Sequence, residues 1–355
     1  MRLRRALLGE DKIWGSAMRR RRFAMFGAGF WARYQLAGWQ ELGAECGALY
    51  NRTLSKAEAL AREFDIPSVY DDPEELLQKE KLDFADIVTD VDHHANFVNM
   101  AAAHRLPVIC QKPMAPTLSV AQEMVETCRK AGVPFLVNEN WRWQTPLREL
   151  KGILQRGEVG TPFRARLDMI SGFPVFRNQP FLRDSERFIL MDLGSHILDV
   201  ARFLFGEAET LYCQTERVHP DIRGEDVATV MMRMGGKTTV LVEMAYAENP
   251  LERECFPQTL AFVEGDKGSL ELTVDYRIKV TTTKGTEAKD YPPPSYPWAD
   301  PGYKVVHSSI VACQENLLQG LNGGTVETSG EDNLKTARLV FASYESAASG
   351  NAVLL

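Results

Sequence analysis

Three stretches of this chain carry side chains able to act on one small molecule together. Gln111-Lys112-Pro113 sets a cation directly after the apolar run at residues 107–110. Asp192-Leu193-Gly194-Ser195-His196 opens an apolar helical stretch and places a carboxylate four residues before an imidazole. On a helix such a pair shares a face, about one turn apart. The third stretch, residues 23–32, is a short apolar run followed by Gly27, Gly29 and Ala32 at the spacing of a dinucleotide-binding turn. Together these types suit hydride transfer from an alcohol, which needs an acceptor over the carbinol carbon and a base for the hydroxyl proton. An ordinary imidazole, with a pKa near 6.5, makes His196 the expected base at neutral pH. Asp192 is expected to orient that imidazole or to bind a substrate hydroxyl. Lys112 is expected at the carboxyl end of a parallel strand, where open α/β sheets bind ligands, and to share the proton transfer.

Each position of the glycine turn has a separate task. Gly27 permits the tight turn out of a strand, Gly29 lets the backbone approach a pyrophosphate, and Ala32 keeps the next helix close to its sheet. The helix N-terminus then faces the phosphates. Cofactor contacts are expected from Gly27, Gly29, Phe30, Trp31 and Ala32, and from Thr89, Asp90 and His94 after a later strand. Asp92 and His93 read as helix-start and surface groups. At the end of the second strand, Tyr50-Asn51-Arg52-Thr53 lacks the carboxylate that commonly binds the ribose diol of NAD. Arg52 suits the 2′-phosphate of NADP, whereas Asn51 suits a ribose hydroxyl, so either dinucleotide remains open. The string Asn138-Glu139-Asn140-Trp141-Arg142-Trp143 is unusual where a chain leaves a sheet. Asn140 and Arg142 are expected to meet substrate hydroxyls; the two tryptophans either cover a sugar face or join two domains. Arg183, Asp184, Tyr303 and His307 are further polar candidates that the sequence alone leaves unplaced.

The elements that must hold these groups follow from periodicity. Strands are expected near residues 23–26, 44–50, 83–88, 107–110 and 133–137, with helices near 31–42, 54–64, 95–105 and 119–131, and a short one opened by Asp72-Pro73. Strand and helix alternating in this way indicate a parallel sheet with right-handed crossovers. After about residue 140 the pattern becomes two-residue alternation, at 163–170, 209–218, 227–234, 238–245, 259–264, 269–274 and 277–283. Gly235-Gly236 and Gly265-Asp266-Lys267-Gly268 supply turns between neighbours. Helices are expected near 193–205, 305–319 and 331–348. The fold class expected is α/β: an N-terminal Rossmann doubly wound parallel sheet, then a C-terminal α+β domain on an open, mostly antiparallel sheet. The boundaries expected are a flexible extension over 1–18, the dinucleotide domain over 19–139, and a substrate-binding and oligomerisation domain over 140–355.

The chain's 355 residues, 45% apolar and 25% charged, are ordinary for a soluble protein of roughly two domains. A net charge of -7 argues against general nucleic-acid binding, which needs a basic face. The six cysteines show no CxxC pair and no regular spacing, the pattern of isolated thiols in a reducing compartment and not of disulfides or a metal site. No apolar run approaches the length of a membrane span, and residues 1–17 lack the apolar core of a secretory signal. A cytoplasmic location is therefore expected.

The glycine turn, Gln111-Lys112-Pro113, Asp192-Leu193-Gly194-Ser195-His196 and the late helix beginning Gly330-Glu331-Asp332 together resemble the Gfo/Idh/MocA oxidoreductases, the group that includes glucose-fructose oxidoreductase and inositol dehydrogenase. The resemblance runs from about Arg22 to Gly350. Gln111 departs from the family's usual Glu-Lys-Pro, so that carboxylate is missing while the lysine is kept. The resemblance implies that Lys112, Asp192 and His196 form the catalytic set and that Gln111 and Lys112 also touch the cofactor, NAD or NADP. It implies a homodimer or homotetramer and a sugar or polyol substrate. An aldose oxidised to its lactone is expected, D-apiose among the candidates, with an inositol or amino-sugar dehydrogenase as the alternative. A member that uses bound NAD for transient oxidation, in a lyase-like or glycosidase-like reaction, is a third. A non-catalytic dinucleotide-binding sensor or assembly protein is the competing class.

Overall fold

In the computed structural model, which describes residues 20–355, the expected N-terminal extension lies outside the described residues. The first strand, β1 (Arg22–Phe26), is followed by α1 (Ala32–Glu41), β2 (Glu45–Tyr50), α2 (Leu54–Phe64), β3 (Ser68–Tyr70) and α3 (Pro73–Lys79). Then come β4 (Phe84–Ile87), α4 (Val91–Ala103), β5 (Val108–Gln111), α5 (Leu118–Ala131) and β6 (Phe135–Asn138). All six strands are parallel, in the order β3-β2-β1-β4-β5-β6. Strand order reverses between β1 and β4, which opens a crevice at their carboxyl ends.

Local chemistry explains where the helices begin and stop. The Asp72 carboxylate accepts the Glu74 and Glu75 N–H groups and Pro73 stands at the first helical position of α3. Thr117 Oγ1 accepts the Val120 N–H at the start of α5, and Gly132 ends that helix at φ +70°. The central strands are apolar on both faces because helices cover both. Phe23, Phe26, Trp39 and Phe84 are all fully buried, each worth about 1.5–3 kcal/mol of burial.

A 3-10 turn (Trp141–Trp143) and α6 (Thr145–Gln155) lead to β7 (Pro162–Ser171), the short α7 (Val175–Asn178), a π-helical turn (Leu190–Gly194) and α8 (Ser195–Phe205). The remaining strands are β8 (Ala208–Glu216), β9 (Val227–Met234), β10 (Thr239–Tyr246), β11 (Leu260–Gly265), β12 (Gly268–Thr273), β13 (Arg277–Thr282) and β14 (Gly285–Asp290). Helices α9 (Lys304–Leu321) and α10 (Gly330–Ser349) precede a last strand, β15 (Val353–Leu354). The second sheet has nine strands in the order β14-β13-β12-β11-β7-β10-β9-β8-β15. It is antiparallel except where β7 meets β10. One face packs on the helices, burying Leu167, Val230, Val242 and Val263 against Ile197, Val200 and Leu339.

Besides the four-residue α7, four elements were not expected from the sequence. The strands β3 and β15 are too short to carry a period. Every residue of β14 is exposed, so its ladder with β13 leaves no apolar alternation to read. Helix α6 lies between the tryptophan string and β7, with Leu147, Leu150 and Ile153 as its buried stripe.

Candidate active site

The carboxyl ends of the six parallel strands form one rim, since each crossover returns outside the sheet. At or within two residues of successive strand ends stand Asn51 (β2), Gly27 (β1), Thr89 (β4), Lys112 (β5) and Glu139 (β6). Gly27 adopts φ +112°, and a Cβ there would stand 2.6 Å from the Val88 carbonyl oxygen. Its N–H donates to the Tyr50 carbonyl at 2.8 Å, and the Ala28 N–H donates to Asn51 Oδ1 at 3.1 Å. A Cβ on Gly29 would meet nothing within 4 Å, so the turn opens onto free space. Helix α1 then starts without a side-chain cap at Trp31 and without an acid in its first turn. The positive end of its dipole is available to an anion at the turn. A dinucleotide pyrophosphate fits this cradle.

The other expected cofactor residues divide. Phe30 is 42% exposed beside the turn, its ring edge-on to Trp31. Arg52 is exposed after β2, and Asp90, exposed after β4, pairs with His93. Gln111 is buried, and its Oε1 accepts the Lys112 N–H at 2.9 Å. His94 departs from expectation. It is 1% exposed, and its ring nitrogens lie 3.2 Å from the Met114 carbonyl and 3.1 Å from the Thr89 carbonyl. Burial holds its pKa below the usual value. It ties together the loops after β4 and β5 and has no ring nitrogen left for a cofactor.

Lys112, Asp192 and His196 come together although 80 residues separate the first two. Lys112 Nζ donates to Asp192 Oδ1 at 2.9 Å and to the Asp192 carbonyl at 3.0 Å. Asp192 sits in the π-helical turn and His196 in the first turn of α8, so the expected single α-turn between them is replaced by a wider one. Such insertions re-aim side chains and are frequent at functional sites. The consequence corrects one expectation: Asp192 faces Lys112, and Glu139 holds the imidazole. His196 Nδ1 lies 2.7 Å and 2.9 Å from the Glu139 carboxylate oxygens. The ring stacks on Trp141, with centroids 4.2 Å apart. Nε2 has no protein hydrogen bond among the described residues. Burial, then the nearby Lys112 ammonium, holds the imidazole well below its usual pKa. Burial pushes Glu139 up to about 7, against the Trp141 N–H that it accepts. A neutral imidazole with Nδ1–H on a carboxylate leaves an Nε2 lone pair, the form a general base needs.

Two expected substrate contacts are used elsewhere. Arg142 is 5% exposed. Its Nε donates to Asp199 Oδ2 at 2.7 Å, Nη2 to Asp332 Oδ2 at 3.0 Å, and Nη1 to the Glu327 carbonyl at 3.2 Å. The guanidinium thus cross-links α8 and α10, because a buried charge needs partners on every side. Asn140 Nδ2 donates to Ser309 Oγ at 2.7 Å and to the Val306 carbonyl at 3.2 Å, anchoring α9. Trp141 Nε1 donates to Thr259 Oγ1 at 2.8 Å, and the Arg148 guanidinium covers the Trp143 ring. Arg183 pairs with Asp221 and Asp184 is exposed.

The sequence reading gave no role to Glu139 or Tyr246. Glu139 carried one signal, an acid directly after an apolar strand and beside the Lys112 strand. Tyr246 closes β10 and is 5% exposed. Burial, then Asp192 and Tyr303, pushes its phenol well above the usual pKa.

The profile of the oxidoreductase family with an NAD-binding Rossmann fold matches residues 21–139, and that of the GFO/IDH/MocA C-terminal domain matches residues 147–271. The chain is 42% identical over 332 residues to D-apiose dehydrogenase of Rhizobium rhizogenes, covering 93% of this chain and 96% of that one. It is 42% identical over 342 residues to D-apiose dehydrogenase of Paraburkholderia graminis, covering 96% and 91%. An oxidoreductase from Agrobacterium radiobacter, solved with NAD+, L-tartaric acid and magnesium, superposes with a TM-score of 0.92 at 41% identity, over 95% of this chain and 98% of that one. With its glycine cradle and two-sheet architecture, this chain belongs to the Gfo/Idh/MocA oxidoreductase family and is an NAD-binding dehydrogenase.

Proposed function

We infer that the enzyme oxidises an aldose at its anomeric carbon, with D-apiose as substrate and a lactone as product. The observation that carries this reading is the convergence of Lys112, Asp192 and His196 on one rim, with Nε2 of His196 free of protein partners. Two relatives at 42% identity named for D-apiose supply the substrate. Gly27, Gly29, Phe30, Trp31, Ala32, Asn51, Thr89 and Asp90 would hold NAD, with Lys112 against its nicotinamide end. Bound NAD supplies the hydride acceptor. The Lys112 ammonium, held by Asp192, hydrogen-bonds the reacting hydroxyl oxygen and stabilises charge developing there. Nε2 of His196 takes the hydroxyl proton while Glu139 holds Nδ1–H and offsets the positive charge. Glu139 and Trp141 are positioning residues in this scheme.

The same reading gives residues 19–139 to the cofactor and 140–355 to substrate binding and assembly. The open face of the nine-stranded sheet suits a second copy of the chain. Met231, Leu241, Arg166 and Phe262 form a cross-strand row there, with Met231 49% and Phe262 40% exposed. A cytoplasmic location agrees with six cysteines that are all unpaired; no described helix is long and apolar enough to cross a membrane.

The test is a panel of aldoses, polyols and inositols with NAD or NADP, followed by absorbance of the reduced nicotinamide. Turnover confined to D-apiose and close aldoses with NAD is expected. NADH binding without turnover on any sugar would sink the reading and favour a binding protein.

A further inference from the structure

A chain of ring contacts runs from Trp31, beside the glycine turn, through His307, Tyr303 and Phe256, three groups the proposed chemistry does not use. Trp31, which precedes α1, meets the His307 ring edge-on at 6.3 Å. His307 is fully buried and stacked between Tyr34, at 4.0 Å, and Tyr303, at 5.6 Å. The Asp300 N–H donates to His307 Nδ1 at 3.1 Å, which leaves the ring proton on Nε2. The Tyr303 ring is also braced edge-on by Phe173 at 6.1 Å and Phe256 at 5.3 Å. Phe256 in turn meets the Tyr246 ring at 6.1 Å. Tyr246 ends the strand whose Met244 Sδ would lie 3.5 Å from a Cβ on Gly194, in the turn that carries Asp192, and Asp192 holds Lys112. Tyr303 is therefore half-buried, fixed on three sides, and joined through Phe256 to Tyr246 at the end of β10.

Its polar end is not consumed. Among the described residues the phenol oxygen has one hydrogen-bond partner, Asn178 Nδ2, which donates to it at 3.3 Å. That leaves the Tyr303 O–H free to donate outward and Asn178 Oδ1 free to accept. A donor and an acceptor side by side match a single alcohol, which is both.

We propose that Tyr303 and Asn178 form a specificity pair that reads a sugar hydroxyl remote from the reacting carbon, namely the hydroxymethyl branch of D-apiose. This rests on the aldose reading above. Rigidity matters here, because a phenol already fixed by His307, Phe173 and Phe256 loses little freedom on binding. Proton transfer stays with the Lys112 rim, so the pair affects binding and not the chemical step.

The experiment compares D-apiose with D-erythrose, the tetrose lacking the branch, using the unaltered enzyme, Tyr303→Phe and Asn178→Ala. For D-apiose the variants are expected to raise KM roughly 3- to 10-fold, the worth of one or two neutral hydrogen bonds. kcat should stay within about twofold and NADH affinity, read by fluorescence titration, should not change. For D-erythrose KM should be the same in all three proteins. An unchanged KM for D-apiose overturns the proposal. Equal rises for both sugars, or a lost NADH affinity, also overturn it, since they indicate general loosening of the aromatic wall. Failure of the unaltered enzyme to oxidise any aldose instead overturns the aldose reading, and this proposal with it.

Discussion

Glu139 and His196 form a buried carboxylate–imidazole pair, with Oε1 2.7 Å from Nδ1. Neither side chain reaches bulk water, Glu139 at 0% and His196 at 5% exposure. Burial acts oppositely on the two, raising the carboxyl to about 7 and lowering the imidazole. Only one of them readily carries charge at neutral pH. The base form is the ionised carboxylate with a neutral ring, so kcat/KM is expected to rise with pH through an ionisation near 7. Glu139→Gln keeps an acceptor for Nδ1–H but removes the titrating carboxyl. That limb should disappear, and kcat should fall roughly tenfold, about 1.4 kcal/mol for the lost charge-assisted bond. An unaltered pH profile in Glu139→Gln would remove Glu139 from the scheme.

His196→Ala and Lys112→Ala should differ in kind. Losing the base should lower kcat by roughly 10²-fold or more while NADH affinity holds. Lys112→Ala should lower kcat comparably and also weaken NADH binding, because the ammonium stands at the end of β5 beside the glycine turn's strand neighbours. The two are separated by measuring NADH affinity beside steady-state rates. A near-normal rate in His196→Ala would overturn the assignment of roles.

The two glycines of the turn make a paired prediction. At Gly27 the positive φ and the 2.6 Å approach to Val88 O leave no room for a Cβ. Gly27→Ala should cost about 1–3 kcal/mol of stability, visible as a lower Tm without cofactor. The Cβ of Gly29→Ala meets no protein atom within 4 Å, so Tm should stay near that of the unaltered chain while NADH affinity falls. Equal Tm losses in both would contradict the cradle.

Asp86 lies in the middle of β4, fully buried, with Trp39 Nε1 donating to Oδ2 at 2.7 Å and no partner on Oδ1. Burial raises its pKa from 3.8 to about 7. The folded state therefore keeps a proton that the unfolded chain has released, and stability falls as pH rises from about 4 to 7. Asp86→Asn keeps an acceptor for Trp39 and removes this loss. Its Tm should match the unaltered protein near pH 5 only partly and exceed it increasingly toward pH 8, by an amount on the order of a few kcal/mol in stability. A gain that does not grow with pH would mean the carboxyl is not held neutral.

Much of the molecule could be read from residue order. The strand–helix alternation through residue 138 and the two-residue alternation after it reveal two sheets of different kind, since each period reports which faces are covered. The glycine turn and the residues Lys112, Asp192 and His196 were legible because their types and spacing carry chemistry whatever the surroundings. Three further residues stand elsewhere than the sequence suggests, for one reason. Arg142, Asn140 and His94 look like ligand-binding groups in sequence, yet each is buried against partners from distant segments that no local pattern reveals. Glu139 and Tyr246 were overlooked for the converse reason: an acid after a strand and a tyrosine at a strand end are common, and only neighbours mark them.

Periodicity and residue type within short windows were enough for the two sheets and the dinucleotide turn, and for naming Lys112, Asp192 and His196 as groups to look for together. Only long-range contacts settle which carboxylate holds the imidazole and which cation is spent on cross-linking helices. Those outcomes depend on contacts between residues separated by 57 positions for Glu139 and His196 and 190 for Arg142 and Asp332. Burial strengthens such interactions and forces each charge to find a partner, and burial is a property of the folded chain.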